Sequence, residues 1–264
     1  MAPETQNHDR LARTLSKAEK LLSLYFTAGY PELEDTRTVL RELQAAGADL
    51  VEIGLPFSDP LADGPTIQES STRALQNGMH TGLLFEQLQG VREEIHIPLL
   101  LMGYFNPVLQ YGVEAFCSRC RETGIDGLIL PDLPLDIYKR EYEGIFKAYG
   151  LSVVFLITPQ TSEARIREID AASDSFIYMV SSASTTGVQQ AFGSGQEDYF
   201  DRIASLDLEH PQIVGFGIHD AASFRRATRR AKGAIIGSAF IKLLAEQGIA
   251  GIGGFVRGIR GESD

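Results

Sequence analysis

Eight short runs of apolar and β-branched residues, each followed by a stretch with helical spacing, dominate the 264-residue chain. They lie at residues 21–26, 50–55, 98–104, 127–130, 153–158, 176–181, 212–216 and 234–237. The stretch 36–43 typifies the intervening segments, with Val39, Leu40 and Leu43 on one helical face. Alternation of this kind builds a mostly parallel sheet covered by helices. Eight units favour closure into a (β/α)8 TIM barrel over an open doubly wound sheet. No linker-like stretch divides the chain, so residues 1–264 are expected to form one domain, with an extra N-terminal helix ahead of the first strand.

Punctuation supports this frame. Gly47-Ala48-Asp49 and Gly124-Ile125-Asp126 stand at helix-to-strand joints, where glycine can adopt the left-handed conformation that ends a helix. Asp220 and Ser162 sit at N-cap positions. One unit is irregular. Residues 56–77 form a long, turn-rich and then helical segment before a further helix over 83–94. A long loop after a barrel strand lies on the face where active sites are built.

Composition removes several classes of function. The net charge of −11 and the lack of a basic stripe exclude nucleic acid as the main partner. Arg225, Arg226, Arg229 and Arg230 read as a solvated helix face. No apolar run approaches the roughly 20 residues that span a bilayer. The first twenty residues are polar and carry acidic groups, unlike a secretory or transit signal. Cys117 and Cys120 lie within a helical pattern with Val113 and Phe116, and read as reduced core cysteines of a cytoplasmic protein. The histidines are scattered without ligand spacing, so no metal site is expected. His219 reads as a loop or capping residue. No lysine falls in a predicted strand, which argues against Schiff-base chemistry. Residues 251–254 are glycine-rich but follow no strand, so they are not a dinucleotide fingerprint.

Three constellations could carry chemistry. On the second strand, alternation places Val51, Ile53 and Leu55 on one face and Leu50, Glu52 and Gly54 on the other. The β-branched face suits the outer helices, which turns Glu52 into the barrel. A carboxyl there is desolvated and costs stability, so an acid/base role outweighs a purely structural network. Asp63 follows in a stiff loop, Pro56-Phe57-Ser58-Asp59-Pro60-Leu61-Ala62-Asp63-Gly64-Pro65. From spacing alone, Asp59 and Asp63 serve equally well as turn formers. The third set is glycine-bearing strand ends: Thr186-Gly187, Gly215-Phe216-Gly217 and Gly237-Ser238. Any one is a weak signal. Together they suit phosphate binding by backbone N–H groups and a helix start. The sum is carboxylate acid/base chemistry on a phosphorylated small molecule.

The run from Glu52 through Pro56-Phe57-Ser58-Asp59-Pro60-Leu61-Ala62-Asp63-Gly64-Pro65 to Thr66-Ile67-Gln68 resembles the signature of the tryptophan synthase alpha subunit family. Tyr25-Phe26-Thr27-Ala28-Gly29, Met102-Gly103-Tyr104-Phe105-Asn106-Pro107, Pro131-Asp132-Leu133-Pro134, Gly215-Phe216-Gly217-Ile218 and Gly237-Ser238-Ala239 extend the resemblance along nearly the whole chain. It implies a lyase of tryptophan biosynthesis that cleaves indole-3-glycerol phosphate to indole and glyceraldehyde 3-phosphate, without a cofactor of its own. The position matching Glu52 is then the group that protonates indole C3, with the glycerol hydroxyl proton as its second task. The position matching Asp63 accepts the indole N–H. Tyr178 matches a tyrosine near the carboxyl group, and Tyr104 and Phe216 line the indole or phosphate end. Gly187, Gly217, Gly237 and Ser238 match the phosphate site, and Thr186 belongs to a lid over residues 182–195. The resemblance also implies a pyridoxal-phosphate β subunit as partner, in an α2β2 assembly with an indole tunnel.

The chain departs from the family pattern at Tyr30, where many members have Asp before the proline, and at Ser184, where they have glycine. Its tail after Gly248 is glycine-rich where others carry a regular helix. Three other readings compete: a stand-alone lyase, a weakly catalytic binding subunit and a phosphate-binding isomerase. Intact Glu52 and Asp63 speak against the second, and the loop signature against the third.

Overall fold

The computed structural model describes residues 6–180, 194–215 and 217–261. Eight parallel strands close in sequence order: β1 (Leu21–Thr27), β2 (Leu50–Gly54), β3 (Leu99–Met102), β4 (Gly127–Ile129), β5 (Ser152–Ile157), β6 (Ile177–Val180), β7 (Gln212–Gly215) and β8 (Gly233–Ile236). All eight expected strands are present, and the barrel expectation holds.

Alternation along the strands sorts the apolar residues into two cores. Leu21, Leu50, Leu100, Ile129, Val154, Phe176, Ile213 and Ile235 fill the barrel lumen. Val51, Ile53, Leu101, Val153, Ile177 and Val214 pack outward with the helices. The N-terminal helix Gln6–Leu15 closes the bottom, with Leu11 joining the lumen core. Burying a side chain of this kind contributes about 1.5–3 kcal/mol.

The glycine-bearing joints act as clasps at the barrel's base. Gly47 and Gly124 take positive φ values of 93° and 73°, which only glycine adopts at little cost. The aspartate two residues on then turns back to the preceding strand. Asp49 N–H donates to Leu22 O and its carboxylate accepts from Leu22 N, both at 2.9 Å. Asp126 repeats the pattern with Leu99, at 2.9 and 2.8 Å. Each carboxylate is neutralised from outside: Asp49 by Lys17 and Arg260, Asp126 by Arg10 and Arg92.

Two helices differ from expectation. The segment 83–94 is not one helix: Thr81–Gln87 is helical, Gly90 breaks it with a left-handed turn, and Val91–Glu93 forms a 3-10 turn. The glycine-rich tail does carry a helix, Ile252–Arg260. Ile252, Val256 and Ile259 recur at helical spacing and are buried, and their packing outweighs the poor helix propensity of three glycines. Asp220 and Ser162 cap helices as expected, and Cys117 and Cys120 are buried and unpaired. Arg226 and Arg230 pair with Glu197 and Asp201, in keeping with a solvated face. Among the described residues, no helix is long and apolar enough to cross a membrane.

Candidate active site

Glu52 points into the lumen and is fully buried. Ser23, two residues before Tyr25 on the adjoining strand, donates from Oγ to Glu52 Oε1 at 3.0 Å. Glu52 Oε2 has no hydrogen-bond partner among the described residues. An orphaned buried carboxyl oxygen is costly and calls for a reason. Burial raises the Glu52 pKa to about 8, against the smaller opposing effect of the Ser23 bond. The group is therefore largely protonated at neutral pH.

Above Glu52 opens a cavity of about 230 Å³, lined by Tyr25, Phe57, Asp63, Tyr104, Leu156 and Val180 among others. The loop after β2 brings Asp63 there. Asp63 N–H closes a turn on Pro60 O at 3.0 Å, and Gln68 Nε2 holds the Asp63 carbonyl at 2.8 Å. Pro65 then starts the helix Pro65–Gln76, where its missing N–H costs nothing. Tyr104 fastens the loop from the end of the neighbouring strand β3, donating to Asp63 Oδ2 at 3.2 Å and accepting from Ala62 N at 2.8 Å. The Phe57 ring packs on Tyr104 with centroids 5.0 Å apart. Burial raises the Asp63 pKa, and the Tyr104 bond opposes it. The Tyr104 phenol is pushed up to about 12, chiefly by burial and then by the Asp63 charge, so it stays a donor.

Tyr178, on β6, is buried in the lumen. Its ring lies across Gly215, where an added Cβ would overlap the phenol. The Glu52 and Asp63 charges, after burial, raise its pKa well above the usual range. On the strands next round the barrel from β6, Gly217 follows β7, while Gly237 and Ser238 open the helix Ser238–Gln247. The N–H groups of that first turn have no partner within the helix. Thr186, Gly187, Phe216 and the expected lid at 182–195 lie wholly or largely outside the described residues; Thr186, Gly187 and Phe216 are among those left out.

Sequence reasoning thus names Glu52, Asp63, Tyr104 and Tyr178, which the fold brings to one end of the lumen. It misses Ser23, although Ser23 shares the inward face of β1 with Tyr25 and Thr27. It also misses Asp132, whose carboxylate accepts from Phe105 N at 2.9 and 3.1 Å and so fixes the residue after Tyr104.

The comparisons with known proteins agree in one direction. A family model described as tryptophan synthase alpha chain matches residues 11–251. The tryptophan synthase alpha chain of Flavobacterium johnsoniae is 63% identical over 96% of this chain and 100% of its own length. That of Christiangramia forsetii is 59% identical over 96% and 98%. Among solved structures, the alpha chain from Legionella pneumophila superposes with a TM-score of 0.85 at 30% identity, covering 96% of both chains. A tryptophan synthase structure from M. tuberculosis gives 0.83 at 26%, covering 95% of this chain and 97% of the other.

Proposed function

The chain belongs to the tryptophan synthase alpha chain family, and from that premise we propose that Glu52 and Asp63 carry the family reaction, cleavage of indole-3-glycerol phosphate to indole and glyceraldehyde 3-phosphate. The observation that carries the assignment is Glu52 itself: a carboxyl buried in the lumen, protonated near neutral pH, with one oxygen unpartnered beneath the cavity.

Glu52 gives its proton to indole C3. Positive charge then develops on the ring nitrogen, whose N–H bonds to Asp63, a preorganised acceptor at the place where charge appears. The Glu52 carboxylate, now ionised, takes the proton from the hydroxyl on the carbon bonded to C3. That oxygen's electron pair forms the aldehyde carbonyl as the carbon–carbon bond breaks, and the bond's electrons return to the indole ring. One proton enters and one leaves, so Glu52 ends as it began.

Tyr104 and Tyr178 line the indole end with Phe216. Gly187, Gly217, Gly237 and Ser238 hold the phosphate, supported by the unpaired N–H groups where Ser238–Gln247 begins. Thr186 is assigned to substrate binding with them. The chain works in the cytoplasm with a pyridoxal-phosphate β subunit as α2β2, passing indole between sites.

The test is indole release by the purified chain, with and without the β subunit of the same organism, for the parent and Glu52→Gln. The expected result is slow release that rises on adding the partner and falls by about 10²–10⁴-fold in the variant. Undiminished turnover by Glu52→Gln would remove Glu52 from the mechanism.

A further inference from the structure

Tyr25 lines the cavity and stands beside Glu52 on the neighbouring strand. Ser23, Tyr25 and Thr27 share the inward face of β1, and Tyr25 pairs in register with Glu52 on β2. The phenol leans sideways over β2: a Cβ at Gly54 would overlap its Oη, Cζ and Cε2. Gly54 is the next inward position beyond Glu52 toward the barrel mouth, so the hydroxyl lies beside the approach to the carboxyl group. Tyr25 lines the cavity, whereas Glu52 below it is 0% exposed.

The hydroxyl protons near Tyr25 have an order. Ser70 Oγ donates to Ile67 O at 2.8 Å, so the 2.7 Å bond between Ser70 and Thr27 takes its proton from Thr27. The Thr27 oxygen is then the acceptor for Tyr25, but at 3.5 Å, the limit of a hydrogen bond. Burial, then the charge on Asp63, raises the phenol's pKa and keeps it neutral. The group is thus a buried hydroxyl with acceptor capacity unused among these contacts. A phenylalanine would fill the wall equally well without that cost.

We propose that the Tyr25 hydroxyl is a specificity-determining group: it accepts a hydrogen bond from the substrate hydroxyl on the carbon bonded to the indole ring. That is the hydroxyl whose proton Glu52 removes, so the inference rests on the acid/base reading of Glu52. Tyr25 Oη lies over the inward position next above Glu52, beside the approach to the carboxyl group. While Glu52 still holds its own proton, a bond there keeps the substrate hydroxyl beside the carboxyl group, and it discriminates against chains that lack the hydroxyl.

The experiment is isothermal titration in a Glu52→Gln background with two ligands, indole-3-glycerol phosphate and an indole-3-alkyl phosphate lacking chain hydroxyls. Tyr25→Phe is expected to weaken the first by about 5- to 20-fold, the loss of one hydrogen bond. It should leave the second within about twofold, since the ring and phosphate contacts remain. Equal weakening of both ligands, or no change in either, would overturn the proposal and leave Tyr25 as wall. If Glu52→Gln still turns over, the acid/base reading fails by that result. The Tyr25 comparison is then read from kcat/KM of the Tyr25→Phe single variant against its affinity for the hydroxyl-free ligand. An unchanged kcat/KM would count against Tyr25.

Discussion

Ser23 Oγ holds one oxygen of Glu52 at 3.0 Å, while the other, equally buried, is left without a partner among the described residues. The pair thus fixes the carboxyl group and keeps one oxygen for substrate. Holding a group in this state weakens the fold, and the weakening depends on pH.

Glu52 titrates near its ordinary value of 4.5 in the unfolded chain and near 8 in the folded one. Between those values the folded state binds more protons, so its stability falls as pH rises through the window and levels off above it. Glu52→Gln removes the penalty and keeps an acceptor for Ser23. Urea unfolding should find the variant more stable than the parent by about 3 kcal/mol at pH 7, with the gap shrinking toward pH 4.5. A pH-independent gap would mean that Glu52 does not titrate in this window. The same proton links to activity: kcat/KM should decline as pH rises through about 8, because the acid form is then lost.

Asp63→Asn replaces a charged acceptor by a neutral one in a loop held by Tyr104. The amide oxygen can still accept the indole N–H but no longer offsets the positive charge. Indole release should fall by about 10- to 100-fold, less than in Glu52→Gln. A variant as fast as the parent would rule out charge stabilisation by Asp63.

Asp126→Ala should act on stability alone. Its carboxylate is fully buried, accepts from Leu99 N at 2.8 Å and from Arg92 at 2.6 Å, and also pairs with Arg10. Removing it strands an N–H and a mostly buried guanidinium, for a loss of about 3–5 kcal/mol. Chemical denaturation should report that loss while kcat at 25 °C stays within about twofold. A large fall in kcat of the folded variant would contradict this division.

Gly54→Ala puts a methyl group into the Tyr25 phenol. Overpacking of this kind costs about 1–3 kcal/mol. Tyr25→Leu shortens the side chain, and the double variant should regain most of that loss. A double-mutant cycle read by thermal unfolding measures the coupling. Strict additivity would show that the phenol moves aside freely.

Much of this site was legible because a strand's period is two. Once Val51, Ile53 and Leu55 are taken as the outer face, Glu52 has only the lumen left, and the structure puts it there. Asp63 is different: turn chemistry accounts for Asp59 and Asp63 alike, and only the Tyr104 bond from another loop separates them. The lean of Tyr25 over Gly54 was out of reach for a related reason. It depends on the stagger between neighbouring strands, which no single strand's pattern encodes. At the C-terminus, local propensity misled. Gly253, Gly254 and Gly258 argue against a helix, yet the buried stripe of Ile252, Val256 and Ile259 secures one.

The aspartate clasps have a consequence for how such a chain can change. They fasten β1 to β2 and β3 to β4 at the end of the barrel opposite the mouth, using backbone groups and ion pairs that no loop at the mouth supplies. The fastening of these two strand pairs is therefore uncoupled from the length of the segments beyond the strands' C-termini. Residues could be inserted into or exchanged within those segments, remodelling ligand choice, without loosening these fastenings.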